Sequence, residues 1–228
     1  MKLLSSDDWL SSILKRKSYL LEEKNIIKFF KKNKLVKNQF VSTKIKNIKL
    51  SKILKKNRFR FITTNFQCIK KFSKVKEKDL NCFFAKKRDL NELKKISRNS
   101  YKFSRFHLDN KISTSISNRI FSSWIENYFK NKRGDYLLVY KKDKKVLGFL
   151  LLKKERKHFL RIDLIAVHNQ HKKKNIGKKL INHAMFMYNK KFSHFIVGYQ
   201  SHNNAAKKFY SCLGFRLKIQ KDIYHFNS

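Results

Sequence analysis

The sequence predicts an α/β (α+β) fold in which a mixed central β-sheet is flanked by helices. Strand-like and helical runs alternate along the chain, and apolar residues within the helical runs recur every three to four positions. An apolar run at 159–167 leads through a basic loop into a further helical run. From Phe83 to Phe226 the order is β-α-α-β-β-β-α-β-α-β-β, which is typical of a layered domain of sheet and helices.

The composition is that of a chain that can bury a core. It has 228 residues, of which 41% are hydrophobic, whereas a disordered polycation would lack these core-forming residues. No stretch approaches the roughly 20 apolar residues of a membrane span, and the N-terminus lacks the apolar segment of a secretory signal. Cys68, Cys82 and Cys212 are odd in number and widely spaced, so we predict neither disulfides nor a metal site. We therefore expect a reduced, cytoplasmic protein.

The net charge of +42 raises the question of a nucleic-acid partner. We do not expect one, because the lysines are spread along the whole chain rather than clustered. Lys, Asn, Ile and Phe are abundant, whereas the chain has five glycines and no proline. This is the composition that A/T-rich codons produce. The aromatic residues also fall at core positions of predicted elements. A basic surface would still raise encounter rates with phosphate-bearing substrates.

Residues 1–79 are predicted to form a smaller α/β domain that precedes a larger domain at 80–228. Residues 25–36 and 47–57 have helical periodicity, and 58–72 is rich in β-branched and aromatic residues, as in a strand. The polar stretch 73–79 is the predicted junction.

The elements of the larger domain follow from capping and periodicity. A short strand near Phe83 precedes a helix that Asp89 is expected to cap. Ile120 and Trp124 belong to a helix that begins at Ser113 and for which Gly134 is the expected C-terminal stop. The remaining elements are strands at 136–140, 146–152, 159–167 and 195–200, helices at 176–188 and 204–212, and a closing hairpin at 215–226.

The loop after strand 159–167 is a candidate phosphate site. Its consecutive backbone N–H groups, followed by a helix N-terminus, can hold a pyrophosphate by geometry and dipole. Gly177 has no side chain and would let the phosphate approach the first helical turn. A lysine-rich loop that merely lies on the surface is the alternative. The predicted phosphate-binding residues are Lys172, Lys173, Lys174, Asn175, Ile176, Gly177 and Lys178.

Two motifs that follow one another along the chain make this interpretation more specific. The first is the loop Lys172-x-x-Asn175-x-Gly177, and the second is formed by Asn203, Ala206, Phe209, Tyr210, Gly214 and Phe215. In this order they resemble the GNAT family of N-acetyltransferases, from about Phe83 to Phe226, whose patterns are Q/R-x-x-G-x-G/A and N-x-x-A-x-x-F-Y-x-x-x-G-F. Lys172 and Asn175 depart from the first pattern, but asparagine tolerates the left-handed conformation, so we expect the loop to keep its shape.

The resemblance implies a GNAT acyl-CoA N-acyltransferase fold and direct acetyl transfer from acetyl-CoA to an amine. Tyr210 matches the tyrosine that protonates the departing thiolate. Asp163 is the candidate general base, although strand alternation leaves open whether it faces the site. The pantetheine arm would bond backbone groups of 164–167. The implied cofactor-binding residues outside the phosphate loop are Leu164, Ile165, Ala166, Val167, Asn203 and Ala206.

A narrower resemblance concerns the segment Ser104-Arg105-Phe106-His107-Leu108-Asp109 and the later Trp124-Ile125-Glu126-Asn127. Both are similar to the dTDP-fucosamine acetyltransferases and related sugar acyltransferases, which also carry an incomplete GNAT-like N-terminal domain. This implies that Arg105 pairs with a nucleotide-sugar phosphate and that His107 or Asp109 bonds a sugar hydroxyl. Gln200 is placed with them in the acceptor site. Polar contacts that only stabilise the fold are the alternative.

The leading hypothesis is an N-acetyltransferase for a nucleotide-linked amino sugar of the dTDP-4-amino-4,6-dideoxyhexose type, serving surface polysaccharide synthesis. One alternative is a GNAT enzyme that acetylates a protein N-terminus, a polyamine or another small amine. Others are a non-catalytic basic binding protein and a catalytically inactive GNAT fold. A homodimer is left open.

Overall fold

The computed structural model describes residues 3–155 and 158–227. Within these residues ten strands form one sheet in the order β1-β2-β3-β10-β4-β9-β8-β7-β6-β5. The strands are β1 (Leu4–Ser6), β2 (Lys17–Leu21), β3 (Gln39–Ile45), β4 (Arg60–Lys71), β5 (Cys82–Phe84), β6 (Tyr136–Lys142), β7 (Lys145–Lys154), β8 (Phe159–Val167), β9 (His194–Gln200) and β10 (Arg216–Asn227). The helices are α1 (Asp8–Leu14), α2 (Ile26–Lys32), α3 (Leu50–Lys56), α4 (Leu90–Ser100), α5 (Thr114–Phe129), α6 (Ile176–Tyr188) and α7 (Asn204–Cys212).

The sheet is mixed, which confirms the predicted fold class. The β2–β3 and β8–β9 pairs are parallel and the other neighbouring pairs are antiparallel. One buried cluster joins α6 and α7 to the sheet, and a second joins α1, α4 and α5 to it. A third cluster lies around α2, α3 and β3. None of the helices within the described part of the chain is long and apolar enough to cross a bilayer.

The predicted closing hairpin at 215–226 is wrong, because this segment is the single long strand β10. Hairpin turns favour residues that accept positive φ, and the segment contains no glycine, asparagine or proline. β10 pairs with β3 on one side and with β4 on the other. β4 therefore lies between β9 and β10, so that residues from both predicted domains share one sheet. The division at residue 79 stays a prediction.

Helix α5 also ends earlier than predicted. The left-handed residue that follows it is Asn131, with φ 57°, whereas Gly134 lies in the turn before β6. The Lys132 N–H donates to the Asn127 carbonyl over 2.8 Å, which satisfies a free carbonyl of the last turn. Asn131 thus adopts the left-handed conformation after α5 that was expected of a glycine.

Asp109, which was predicted to bond a sugar hydroxyl, does not line the main cavity and is engaged within the fold. Its side chain is fully buried, and Oδ2 accepts hydrogen bonds from His225 (2.9 Å) and Asn227 (3.1 Å) of β10. Its Oδ1 pairs with Arg60 Nη2 of β4 at 2.5 Å. Burial by itself raises the pKa of Asp109, but the bonds from His225, Asn227 and the Lys111 N–H bring it below its usual range. Asp109 therefore fastens its loop to two strands.

Replacing Asp109 with alanine is expected to lower the free energy of unfolding by about 3–5 kcal/mol, because Arg60 loses its buried partner. Urea denaturation measures the change. Glu77→Ala, at an exposed carboxylate in a loop, is the matched control and should leave stability within about 0.5 kcal/mol of wild type. Equal denaturation midpoints for the two variants would show that the Asp109 contacts contribute nothing.

Candidate active site

The site begins where β8 and β9 separate. The two strands pair in parallel from Phe159 opposite His194 to Ile162 opposite Val197, and the register ends there. A cavity of about 460 Å³ lies beyond this point, lined by the rest of both strands, by the loop before α6 and by α7. The segments predicted to bind the cofactor therefore meet at one cavity.

A β-bulge marks the same point on β8. Leu151 lies opposite Leu164 while Leu152 lies opposite Ile162, which leaves Asp163 as the extra residue. The bulge reverses the alternation of side chains. Ile162 belongs to the core against α6 and α7, whereas Leu164 belongs to the core against α4 and α5. Sequence alternation alone therefore did not determine the direction of Asp163.

The loop between β8 and α6 contains two left-handed residues. Lys173 has φ 62° and Asn175, immediately before α6, has φ 58°. The expectation that Asn175 adopts this conformation is confirmed, whereas no sequence motif indicated it at Lys173. Left-handed residues in such a loop turn successive N–H groups toward a common point, which suits an anion. The predicted loop residues that line the cavity are Lys172, Lys173, Asn175, Ile176, Gly177 and Lys178, and Lys174 is not among them.

Gly177 is required by packing between helices. A Cβ built on Gly177 would lie 2.9 Å from Cζ of Phe209 on α7, closer than carbon atoms normally approach. Phe209 precedes Tyr210, so the absence of a side chain at Gly177 sets how near α7 lies to α6. The sequence prediction assigned this glycine only to phosphate approach.

Tyr210 lies at the cavity with little exposure. Its ring is 5% exposed and stacks on Tyr199 with centroids 6.0 Å apart. Burial, with a smaller effect from Cys68, raises the pKa of Tyr210 above its ordinary value, so the phenol keeps its proton at neutral pH. The Asn203 side chain accepts a hydrogen bond of 2.9 Å from the Ala206 N–H, which caps the helix that carries Tyr210.

Asp163 lines the cavity but is engaged by a partner that the sequence did not reveal. Arg133 donates a hydrogen bond from Nη2 to Oδ1 at 2.9 Å, and its Nε lies 2.7 Å from Oδ2 in the same ion pair. The Arg133 guanidinium also lies over the Trp124 ring, 4.0 Å from its centroid. This ion pair fixes the position of the Asp163 carboxylate. Arg133 is 30 positions away in the chain, so no local spacing pointed to it.

The other predicted acceptor residues, Gln200, Arg105 and His107, differ in their position relative to the cavity. Gln200 lines the cavity, whereas Arg105 and His107 do not. The His107 Nδ1 lies 2.7 Å from the Ser104 hydroxyl and its Nε2 lies 3.0 Å from Asn118 Oδ1. Both ring nitrogens of His107 are therefore occupied within the fold, and the prediction that it bonds a sugar hydroxyl gains no support. Burial lowers the pKa of this histidine.

Tyr101 is a cavity residue that sequence reasoning missed. Its hydroxyl donates to the Ile165 carbonyl on β8 at 3.1 Å, and its ring stacks on Phe121 with centroids 4.3 Å apart. It follows directly after α4, outside every recognised motif. The bond to Ile165 satisfies a backbone group of β8 on the far side of the bulge.

Comparison with known proteins agrees with this geometry. The model of the acetyltransferase (GNAT) family matches residues 96–215, more than half of the chain. The chain therefore belongs to this family, and it is an acyltransferase whose acyl donor is acetyl-CoA. No curated protein sequence matches it.

Solved structures share the fold at low sequence identity. A protein of unknown function from Staphylococcus epidermidis is 12% identical with a TM-score of 0.64, covering 96% of this chain and 88% of its own. A GCN5-related N-acetyltransferase from Kribbella flavida is 10% identical with a TM-score of 0.57, covering 93% and 82%. A GNAT-family acetyltransferase from Colwellia psychrerythraea is 14% identical with a TM-score of 0.51, covering 83% and 65%. At such identities the likeness concerns the fold alone.

Replacing Asn175 with glycine is expected to keep acetyl-CoA affinity within about twofold, because glycine adopts positive φ without strain. Replacing it with valine should weaken binding about tenfold, since a β-branched residue costs on the order of 1–2 kcal/mol in this conformation. Isothermal titration calorimetry with acetyl-CoA measures both. Asn189→Val, at an exposed right-handed position, is the control. Unchanged affinity in Asn175→Val would contradict a role for the loop conformation in binding.

Proposed function

We propose that this enzyme acetylates the amino group of a nucleotide-linked amino sugar of the dTDP-4-amino-4,6-dideoxyhexose type, for surface polysaccharide synthesis in the cytoplasm. The observation that carries the chemistry is the protonated, buried phenol of Tyr210 at the cavity between β8 and β9. The sugar assignment is supported by the resemblance of residues 104–109 and 124–127 to sugar acyltransferases.

Acetyl-CoA would occupy the cavity along its length. Its pantetheine arm would bond backbone groups of Leu164–Val167, which have β7 on one side and the cavity on the other. Its pyrophosphate would lie at the N–H groups of residues 172–178, where Lys173 and Asn175 supply the left-handed turns. Asn203 and Ala206, at the start of α7, would line the same cofactor.

Tyr210 would act as the general acid. Attack of the amine on the acetyl carbonyl forms the C–N bond, and collapse of the tetrahedral intermediate breaks the C–S bond. The departing thiolate then takes the Tyr210 proton. Because burial raises the pKa of Tyr210, the phenol still carries its proton when the thiolate leaves.

Asp163 would take the amine proton, since it is the carboxylate that lines the cavity within the described residues. Its carboxylate is also engaged in the ion pair with Arg133. The same pair fixes the carboxylate at the bulge, so we assign Asp163 a positioning role as well. Acceptors other than a sugar, such as a protein N-terminus or a small amine, would use the same chemistry.

Tyr210→Phe is expected to lower kcat by about 10²- to 10⁴-fold, because the thiolate loses its proton donor, while the Kd for acetyl-CoA stays close to wild type. Single-turnover thiol release and calorimetry measure the two quantities. The control is Tyr188→Phe, which removes a buried hydroxyl from a tyrosine outside the cavity lining. Wild-type turnover in Tyr210→Phe would remove Tyr210 from the mechanism.

The acceptor is tested by product analysis. With acetyl-CoA and a dTDP-4-amino-4,6-dideoxyhexose, mass spectrometry should detect one added acetyl group, and no product should form with the 4-hydroxy sugar. Peptides and polyamines serve as the competing acceptors. Acetylation of these alone would overturn the sugar assignment and leave acetyl transfer itself intact.

A further inference from the structure

A polar row crosses the sheet next to the cavity. Gln200 of β9 lies opposite Asn65 of β4, and Asn65 lies opposite Lys221 of β10. Directly opposed residues share a face of the sheet, so these three side chains form a row on one face. Lys44 of β3 lies opposite Ile223, two residues beyond Lys221, and so belongs to the same face. The row leads from the cavity, at Gln200, to Lys44 in the first part of the chain.

Arg105 joins this row from the loop after α4. Its neighbour Phe106 packs against Phe40 of β3 and His225 of β10, with ring centroids 6.4 Å and 6.2 Å apart, which places this loop over the strands that carry Lys44 and Lys221. Arg105 itself interacts electrostatically with Lys44 and with Arg133, the partner of Asp163. Its guanidinium stacks on Phe106, 4.4 Å from the ring centroid, and its Nη1 is inaccessible without a hydrogen-bond partner among the described residues. An unpaired buried donor costs free energy that an acceptor atom would recover.

The neighbouring arginines are already neutralised. Arg133 pairs with Asp163, Arg161 with Glu155, and Arg60 with Asp109. Within residues 3–155 and 158–227, no ion pair engages Lys44, Arg105 or Lys221, although Asp7 acts on Arg105 at longer range. We call these three residues the cation cluster.

We propose that the cation cluster of Lys44, Arg105 and Lys221 binds an oxyanion of the acceptor, and so presents its amine to the cavity at Gln200. A phosphate or a carboxylate has the required charge and acceptor atoms, and the planar guanidinium of Arg105 suits either. The proposal rests on the proposed function, because the diphosphate of a nucleotide sugar would be this oxyanion. It also makes the first 79 residues part of the acceptor site, through Lys44 and Asn65.

The test is calorimetric titration of dTDP into protein saturated with coenzyme A, so that the donor site is filled. Arg105→Gln is expected to weaken dTDP binding about 10- to 100-fold, and Lys44→Gln about 3- to 10-fold. Arg105→Lys should fall between wild type and Arg105→Gln. The control Arg88→Gln, at an exposed arginine beside the far edge strand, should bind dTDP as wild type does. Coenzyme A affinity should match wild type in all four variants, and none of them should have a lower melting temperature than wild type.

The outcomes separate this inference from the proposed function. Binding of dTDP that depends on Arg105 and Lys44, without acetylation of a dTDP amino sugar, would support the anion site and overturn the sugar assignment. Glutarate titrated in a parallel arm distinguishes a carboxylate acceptor, and binding of glutarate alone that is lost in Arg105→Gln also supports the site. No binding of either probe, or equal binding by Arg105→Gln and Arg88→Gln, would overturn it.

Discussion

The separation of β8 from β9 is the constraint on which the active site depends. Four residue pairs hold the two strands together, and the bulge at Asp163 follows directly after the last of them. Beyond the bulge, one side of β8 has no neighbouring strand, so its backbone polar groups need other partners. Tyr101 supplies one at Ile165, and the others are open to an extended ligand that can pair as a strand does. The pantetheine arm of coenzyme A, with its two amides, has this character.

The first part of the chain also supports the strands that separate at the cavity. β9 does not end the sheet at the cavity, because seven residues of β4 pair with it, from Asn65 opposite Gln200 to Lys71 opposite His194. β4 is fixed in turn by β10 and by the pair between Arg60 and the buried Asp109. One wall of the cavity, β9, thus rests on residues 65–71 of β4. Lys44 and Asn65 extend this dependence to the proposed acceptor face.

Sequence reasoning predicted what local pattern determines. The helix periods, the loop before α6 and the motif around Tyr210 are written in consecutive residues, and the structure has these elements in the predicted order. It failed where the local structure depends on residues that are distant in the sequence. The direction of Asp163 depends on a bulge in the pairing of β8 with β7. The burial of Asp109 depends on strands that lie 49 and more than 100 residues away in the sequence. The requirement for a glycine at position 177 depends on its contact with Phe209. The false hairpin arose because β10 finds both of its partners in the first part of the chain.

The charge of the chain has two components that differ physically. Codon bias accounts for lysines that are spread over the surface and stay hydrated. Arg105 differs from these lysines, because its Nη1 is buried without a hydrogen-bond partner among the described residues, and desolvation lowers the pKa of its guanidinium to about 10. Such a position costs stability, and no neighbouring carboxylate pairs with Arg105, although the structure pairs Arg133 and Arg161 nearby. A surface bias does not explain a cation held at such a cost, whereas recognition of an anionic acceptor does.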